Sequence, residues 1–383
     1  MNQAVYITRA AAYLPNAPVD NQQIEDVLGQ VGGRPSRARA LVLRSNGIRH
    51  RHYAIDPATG AITHSNIEMT ALAVRGLLHE GFRLQDIQVL ACGTSSPDQI
   101  APNHAVMVHG ELGNPPCEVM AAAGICVSGV MSFKYGFMSV LAGLSDNAVV
   151  TGSEAASSFM RAWSFQAEND AQIAAMQARP IVAFDKDFLR WMLSDGAGAL
   201  LLQSRPNPTG LSLKVEWIDQ FSYANELQAC MYAGAEKNQD GSLTGWRQLP
   251  SMQTVVDRSV LSLKQDVRLL ESGIRTSSRK GFEAMLKRRQ LKVEDVDWLL
   301  PHYSSEYFRK VMYEVMPDNW KIPYERWFTN LATKGNVGAA SMYLMIEELF
   351  GSDRLKAGER ILCFVPESGR FSAAFVYLRV VEG

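Results

Sequence analysis

Ala121-Ala-Ala-Gly-Ile-Cys126-Val-Ser-Gly129 opens an apolar stretch that runs on through Phe133, Tyr135, Phe137 and Val140. The small residues around the cysteine let backbone approach closely. A helix beginning here puts the Cys126 thiol at its positive end, which favours thiolate over thiol. Val119 to Gly143 is also long enough to raise a membrane span. Lys134 in its middle, and the interruptions at Gly124, Gly129 and Gly136, argue instead for a central helix buried in a large α/β protein. Working outward, Pro301-His302-Tyr-Ser-Ser follows the apolar run Trp298-Leu299-Leu300, and Gly335-Asn336-Val-Gly-Ala-Ala-Ser opens a second apolar helix. Taken singly, Cys126 reads as a core residue, His302 as a core or capping histidine and Asn336 as a helix N-cap. Their weight comes from standing together, each at an element boundary.

Around these three positions the chain alternates strand-like and helix-like segments. Val5–Ile7, Val89–Ala91, Asn147–Val150 and Ala197–Leu202 read as strands, with helices near Asn21–Val31 and Asn66–Glu80. The second half continues with a strand over Leu211–Trp217, helices over Met252–Leu270, Arg279–Arg289 and Asn336–Leu349, and strands over Asp297–Leu300, Arg360–Val365 and Ala373–Val380. Residues 158–193 read as a cap-like insertion, carrying Phe159, Met160, Trp163, Phe165, Met176, Phe184, Phe188 and Trp191. They serve either as an amphipathic cover on the core or as the lining of an apolar substrate pocket. Residues 225–250 are polar and turn-rich and read as an exposed excursion.

A hydrophobic content of 47% with 20% charged residues permits a large core, and a net charge of −1 gives no overall basic field for nucleic acid or an anionic membrane. The five cysteines are scattered and lack the pairing or His clustering that zinc needs, so a reducing cytoplasm is expected and no metal. No charged region followed by a sustained apolar one opens the chain, so no signal peptide is expected.

Six blocks resemble, in order, the thiolase superfamily and within it the β-ketoacyl-acyl carrier protein synthase III group. They are Ser45-Asn-Gly-Ile-Arg-His-Arg51, Ala123-Gly-Ile-Cys126-Val-Ser-Gly, Val150-Thr-Gly-Ser-Glu154, Leu193-Ser-Asp195-Gly-Ala-Gly-Ala, Pro301-His302, and the Gly335-Asn336 run. The resemblance implies a five-layered α/β/α/β/α sandwich of two pseudo-duplicated halves, residues 1–205 carrying the cysteine and 206–383 the histidine and asparagine. It implies a homodimer with the segment from Cys92 to Ala105 at or near the interface. Cys126 becomes the acylated nucleophile. His302 activates it, or holds it as an ion pair, and with Asn336 donates hydrogen bonds to a thioester carbonyl carrying enolate charge. The backbone N–H groups of Cys126 and Ser368 form the oxyanion hole. Substrates are acyl-coenzyme A or acyl carrier protein thioesters, with no further cofactor. Arg49 and Arg51 are candidates for a phosphopantetheine or coenzyme A phosphate, and Arg258, Arg309 and Lys310 for an acidic carrier protein.

Val365-Pro-Glu367-Ser-Gly-Arg370-Phe replaces the family's glycine-rich run, and Tyr303-Ser-Ser replaces its usual residues after the histidine. Both departures resemble the ketosynthases that make dialkylresorcinols and the isopropylstilbene precursor by joining a β-ketoacyl carrier-protein substrate to a second acyl unit and closing a cyclohexane-1,3-dione. Glu154 is the candidate for the additional acid or base, set against an ordinary solvated glutamate. The alternatives are a conventional synthase III using malonyl carrier protein, a cysteine hydrolase, and a non-catalytic partner subunit, which typically lacks the nucleophile or the histidine.

Overall fold

The computed structural model describes residues 3–165 and 189–383. Its frame is nine strands: β1 (Tyr6–Tyr13), β2 (Val89–Thr94), β3 (Glu118–Ala123), β4 (Asn147–Glu154), β5 (Gly196–Gln203), β6 (Leu211–Ser222), β7 (Trp298–Pro301), β8 (Arg360–Glu367) and β9 (Ser372–Glu382). The layers over and between them are helices α1 (Asn66–Arg75), α2 (His104–Leu112), α3 (Val127–Leu141), α4 (Val267–Arg289), α5 (Tyr307–Val315) and α6 (Ser341–Phe350).

The strands lie in the order β7-β8-β9-β6-β1-β5-β4-β2-β3. Within it one topology occurs twice. In the first half β2 pairs in parallel with β3 and β4, β4 runs antiparallel to β5, and β5 antiparallel to β1. In the second, β7 is parallel to β8, β8 antiparallel to β9, and β9 antiparallel to β6. Where a counterpart of β3 would lie, a single parallel bridge joins Leu299 to Trp327. The two sheets meet where β1 and β6 share the pairs Tyr6↔Lys214 and Ile7↔Leu213, so hydrogen bonding links them into one continuous sheet.

Five layers result. Helices α1 and α2 pack on the outer face of the first sheet, and α4 with α5 lies over the second. Between the sheets, α3 touches β2, β3 and β4 on one side and β8 and β9 on the other, while α6 touches β1, β5 and β7. A helix buried on both sides needs apolar residues all round. Accordingly, Val127, Val130, Phe133, Phe137 and Val140 of α3 join Met342, Tyr343, Met345 and Ile346 of α6 in one core. No helix among the described residues is long and apolar enough to cross a membrane, and the apolar stretch around Cys126 divides into β3, a turn and α3.

Several boundaries differ from the sequence expectation. Met252–Leu270 is not one helix: Met252–Asp257 is a short turn of helix, Ser259 has a positive φ of 47°, and Lys264–Gln265 pairs as a strand with Met231–Tyr232 before α4 begins. The helix after Asn336 starts only at Ser341, because Gly338 at φ +47° bends the chain into a tight turn first. The helix near Asn21–Val31 shrinks to Ile24–Leu28.

Candidate active site

Three element ends converge on one mainly apolar cavity, lined by Cys126, His302, Asn336, Glu154 and Ser368. Cys126 stands in the turn between β3 and α3 with helical φ and ψ. His302 follows β7, fixed by its N–H donating to Phe364 O at 2.8 Å. Asn336 is held by its backbone, its N–H donating to Met192 O at 3.1 Å and its C=O accepting from Ser194 N–H at 2.9 Å. Its side-chain Oδ1 accepts the Gly338 N–H at 3.0 Å. That bond orients the amide and leaves its NH₂ group as the donor. Among the described residues, no hydrogen bond is made by the Asn336 NH₂, the His302 ring or the Ser368 N–H, and the Cys126 N–H faces its own thiol.

Close approach is what brings the three together. A Cβ at Gly129, in the first turn of α3, would lie 2.2 Å from Ala339 O, and one at Gly152, in β4, 2.3 Å from the same oxygen. The turn after Asn336 therefore rests directly on the backbone of both elements, a contact only glycine permits.

The electrostatics revise one expectation. The Cys126 thiol is pushed up, first by burial and then by the carboxylates of Glu367 and Glu154, so the helix end does not hold it as a thiolate. Burial lowers His302 to about 4, which keeps the imidazole neutral and able to accept a proton at neutral pH. The resting pair is a neutral thiol beside a neutral base, not an ion pair.

Glu154 is buried, not solvated. Its carboxylate accepts Ser95 Oγ–H and Ser96 Oγ–H at 2.6 Å each, Ser95 N–H at 3.3 Å and Ala339 N–H at 3.1 Å. Burial raises its pKa and these donors oppose the rise. Ser95 and Ser96 also line the cavity; the signal that could have found them is Thr94-Ser-Ser-Pro directly after the buried strand β2.

The arginines divide. Arg51 is fully buried, its guanidinium donating to Trp191 O from Nε at 3.1 Å and Nη2 at 2.6 Å, and to Asn21 Oδ1 at 2.6 Å. It ties the fold together and is not presented to a phosphate, which corrects the expectation for it. Arg49 is exposed. Arg258 pairs with Glu236 at 2.8 Å, Arg309 with Glu306 at 2.9 Å, and Lys310 lies 3.6 Å from Glu314 on the surface. The excursion over 225–250 is not wholly exposed, because Met231 and Ala233 reach the cavity. Of the cap-like segment, Phe159, Met160, Leu189, Met192 and Leu193 line the cavity, whereas Trp191 is in the core and Trp163 is on the surface. Met176, Phe184 and Phe188 lie outside the described residues.

Residues 286–377 match the family model described as 3-oxoacyl-[acyl-carrier-protein] synthase III C terminal. The chain is 22% identical to a β-ketoacyl-[acyl-carrier-protein] synthase III of Methylococcus capsulatus, covering 94% of this chain and 95% of that protein. It is 23% identical to a synthase III of Deinococcus radiodurans, with 94% and 90% covered. Among solved structures, the tetronic acid condensing enzyme AbyA1 superposes with a TM-score of 0.76 at 20% identity over 98% of this chain and 99% of that one. Xanthomonas campestris OleA, solved with bound lauric acid and lauroyl-CoA, gives 0.73 at 18% over 99% and 100%. These matches show that the chain shares the fold of these condensing enzymes and is similar in sequence to synthase III proteins, with one topology repeated around a cysteine, a histidine and an asparagine.

Proposed function

We propose that this condensing ketosynthase joins a β-ketoacyl carrier-protein substrate to an acyl unit carried on Cys126 and closes the product to a 2,5-disubstituted cyclohexane-1,3-dione. The observation that carries the reading is the convergence of Cys126, His302, Asn336 and the buried Glu154 on one apolar cavity. In the first step the Cys126 sulfur attacks the acyl thioester carbonyl while its proton passes to the neutral His302 ring. The tetrahedral oxyanion is met by the N–H groups of Cys126 and Ser368, and the donor thiol leaves with the proton. In the second, the incoming β-ketoacyl thioester loses its α-proton while His302 and the Asn336 NH₂ donate to its carbonyl as the enolate forms; the enolate carbon attacks the acyl carbonyl, and the Cys126 sulfur leaves and takes up that proton. The amide suits this because it donates without titrating. Glu154 serves the ring closure as acid or base.

The apolar lining, rich in methionine at Met160, Met192, Met231 and Met312, suits two acyl chains of differing shape, since methionine adapts to its neighbour. OleA, with its lauric acid and lauroyl-CoA, supports a fold of this kind accepting long acyl groups. An acyl carrier protein is the proposed partner, met by Arg49, Arg258, Arg309 and Lys310, and the enzyme is proposed to act as a homodimer.

The conventional reading, a synthase III using malonyl carrier protein, is favoured by the names of the curated relatives. Mass-spectrometric product analysis with a β-ketoacyl carrier protein and a second acyl thioester separates the two. The cyclohexanedione is expected from the parent, and Glu154→Gln is expected to accumulate linear or pyrone products. Efficient use of malonyl carrier protein with only a linear β-ketoacyl product would establish the conventional reading instead.

A further inference from the structure

At the end of β8 the chain runs Val365-Pro366-Glu367-Ser368, and only Pro366 and Ser368 of these line the cavity. Glu367 turns the other way, onto the start of α3. Burial raises the Glu367 pKa, and two donors oppose the rise: its Oε2 accepts the Val127 N–H at 3.3 Å, and the Ile125 N–H also supports the charge. The carboxylate is wedged between two turns. A Cβ at Gly369 would sit 3.0 Å from Glu367 Oε1 and 3.0 Å from the Ile125 side chain, and one at Gly124 would sit 3.9 Å from Oε2. These turns carry the Cys126 and Ser368 N–H groups.

An anion at the N-terminal end of a 15-residue helix is stabilised by the N–H groups it meets there. A second negative charge on the adjoining thiol is correspondingly costly. The charged groups facing Cys126 are Glu367 from β8 and Glu154 from β4. His302, beyond β7, is the titratable base lining the same cavity, and Asn336 is neutral.

We propose that Glu367 is a positioning residue for the nucleophile: its carboxylate joins the turn after β8 to the first turn of α3, holds the Cys126 and Ser368 N–H groups on the cavity side, and keeps Cys126 a thiol until His302 takes its proton. This deepens the reading of Cys126 as nucleophile and rests on it. The charge that the sequence places in the family's glycine-rich run thus acts on the back of the nucleophile's turn rather than on substrate.

The test is the pH dependence of iodoacetamide alkylation, followed by peptide mass across the neutral and alkaline range in the parent, Glu367→Gln and Glu367→Asp. Gln keeps an acceptor for the Val127 N–H but removes the charge. Its Cys126 is expected to alkylate about tenfold faster at neutral pH, with the profile moved about one unit to lower pH. Asp keeps the charge and is expected to keep the parental profile. A Gln profile that superimposes on the parent or moves to higher pH overturns the proposal. Should the Gln variant fail to fold, Glu367→Ala decides: an acid-shifted profile supports the role, and a parental one overturns it. A merely structural glutamate would change stability without moving the profile. Label on Cys92 or Cys230 in place of Cys126 would defeat the nucleophile assignment itself, whereas label on Cys126 with an unmoved profile defeats only the role of Glu367.

Discussion

A half-buried thiol beside two carboxylates stays protonated at neutral pH, and a buried imidazole stays unprotonated; Cys126 and His302 face one cavity in these two states. The proton must therefore move during attack on the thioester, not before it. His302 titrates at about 4 in place of its usual 6.5, so it remains a competent base as pH falls through 6.5 and is lost only near 4. Measured as the rate of acyl mass gain on Cys126, the acid limb of the profile should lie near pH 4, not at 6.5. An acid limb at the ordinary histidine value would show that burial does not govern this ring. Cys126→Ala should carry no acyl mass. His302→Ala and Asn336→Ala should fold and lose condensation by about 10²–10³, the usual loss for an oxyanion donor. A near-parental rate in either variant removes that residue from the site. These three residues were legible in the sequence because each sits in a local signature of small and apolar neighbours. Arg51 and Glu367 were not. The side-chain bonds of one run to Trp191 O and Asn21, and the other meets the first turn of a helix 240 residues earlier in the chain. No local pattern encodes such partners.

Element by element, the strands were the most legible part, since runs such as Ala148-Val-Val and Leu200-Leu-Leu are buried on both faces and therefore uniformly apolar. Helix starts were less so. Met252–Leu270 keeps a plausible helical pattern, yet pairing of Lys264–Gln265 with Met231–Tyr232 outweighs propensity there. What sets the site at this scale is the contact of α3 and β4 with the turn after Asn336. Gly129→Ala places a methyl 2.2 Å from Ala339 O, so either α3 or that turn must move. The turn also carries the Ala339 N–H bonded to Glu154 and the Gly338 N–H bonded to Asn336. The variant should lose about 1–3 kcal/mol of stability, the common cost of overpacking. It should also lose condensation more than acylation, because Asn336 serves only the second step. A denaturant melt and separate single-step rates check this, and a parental melt with a parental condensation rate would show the contact to be slack.

For the whole molecule, the repeated topology explains why the site needs both halves. Cys126 lies between β3 and α3, and Asn336 lies at the corresponding place between the Trp327 bridge and α6, so the two face each other across the central layer. Among the described residues, the second half keeps only that single bridge outside β7, whereas the first half ends in a full strand, β3, which pairs with β2 alone. Glu118, Ala121 and Ala123 on β3 are exposed, and nearby Met131 is 38% and Met138 47% exposed on α3. An unpaired edge strand beside exposed apolar side chains is a template for another strand. Self-pairing of β3 about a two-fold axis would satisfy the edge and cover the methionines with one identical patch from each copy. Light scattering at micromolar concentration should accordingly give a dimer. Ala121→Arg puts a charge on that edge in both copies and should shift the population to monomer, leaving a subunit fold unchanged by circular dichroism. A parent that scatters as a monomer would refute the dimer. A dimer indifferent to Ala121→Arg would place the two-fold contact on another surface.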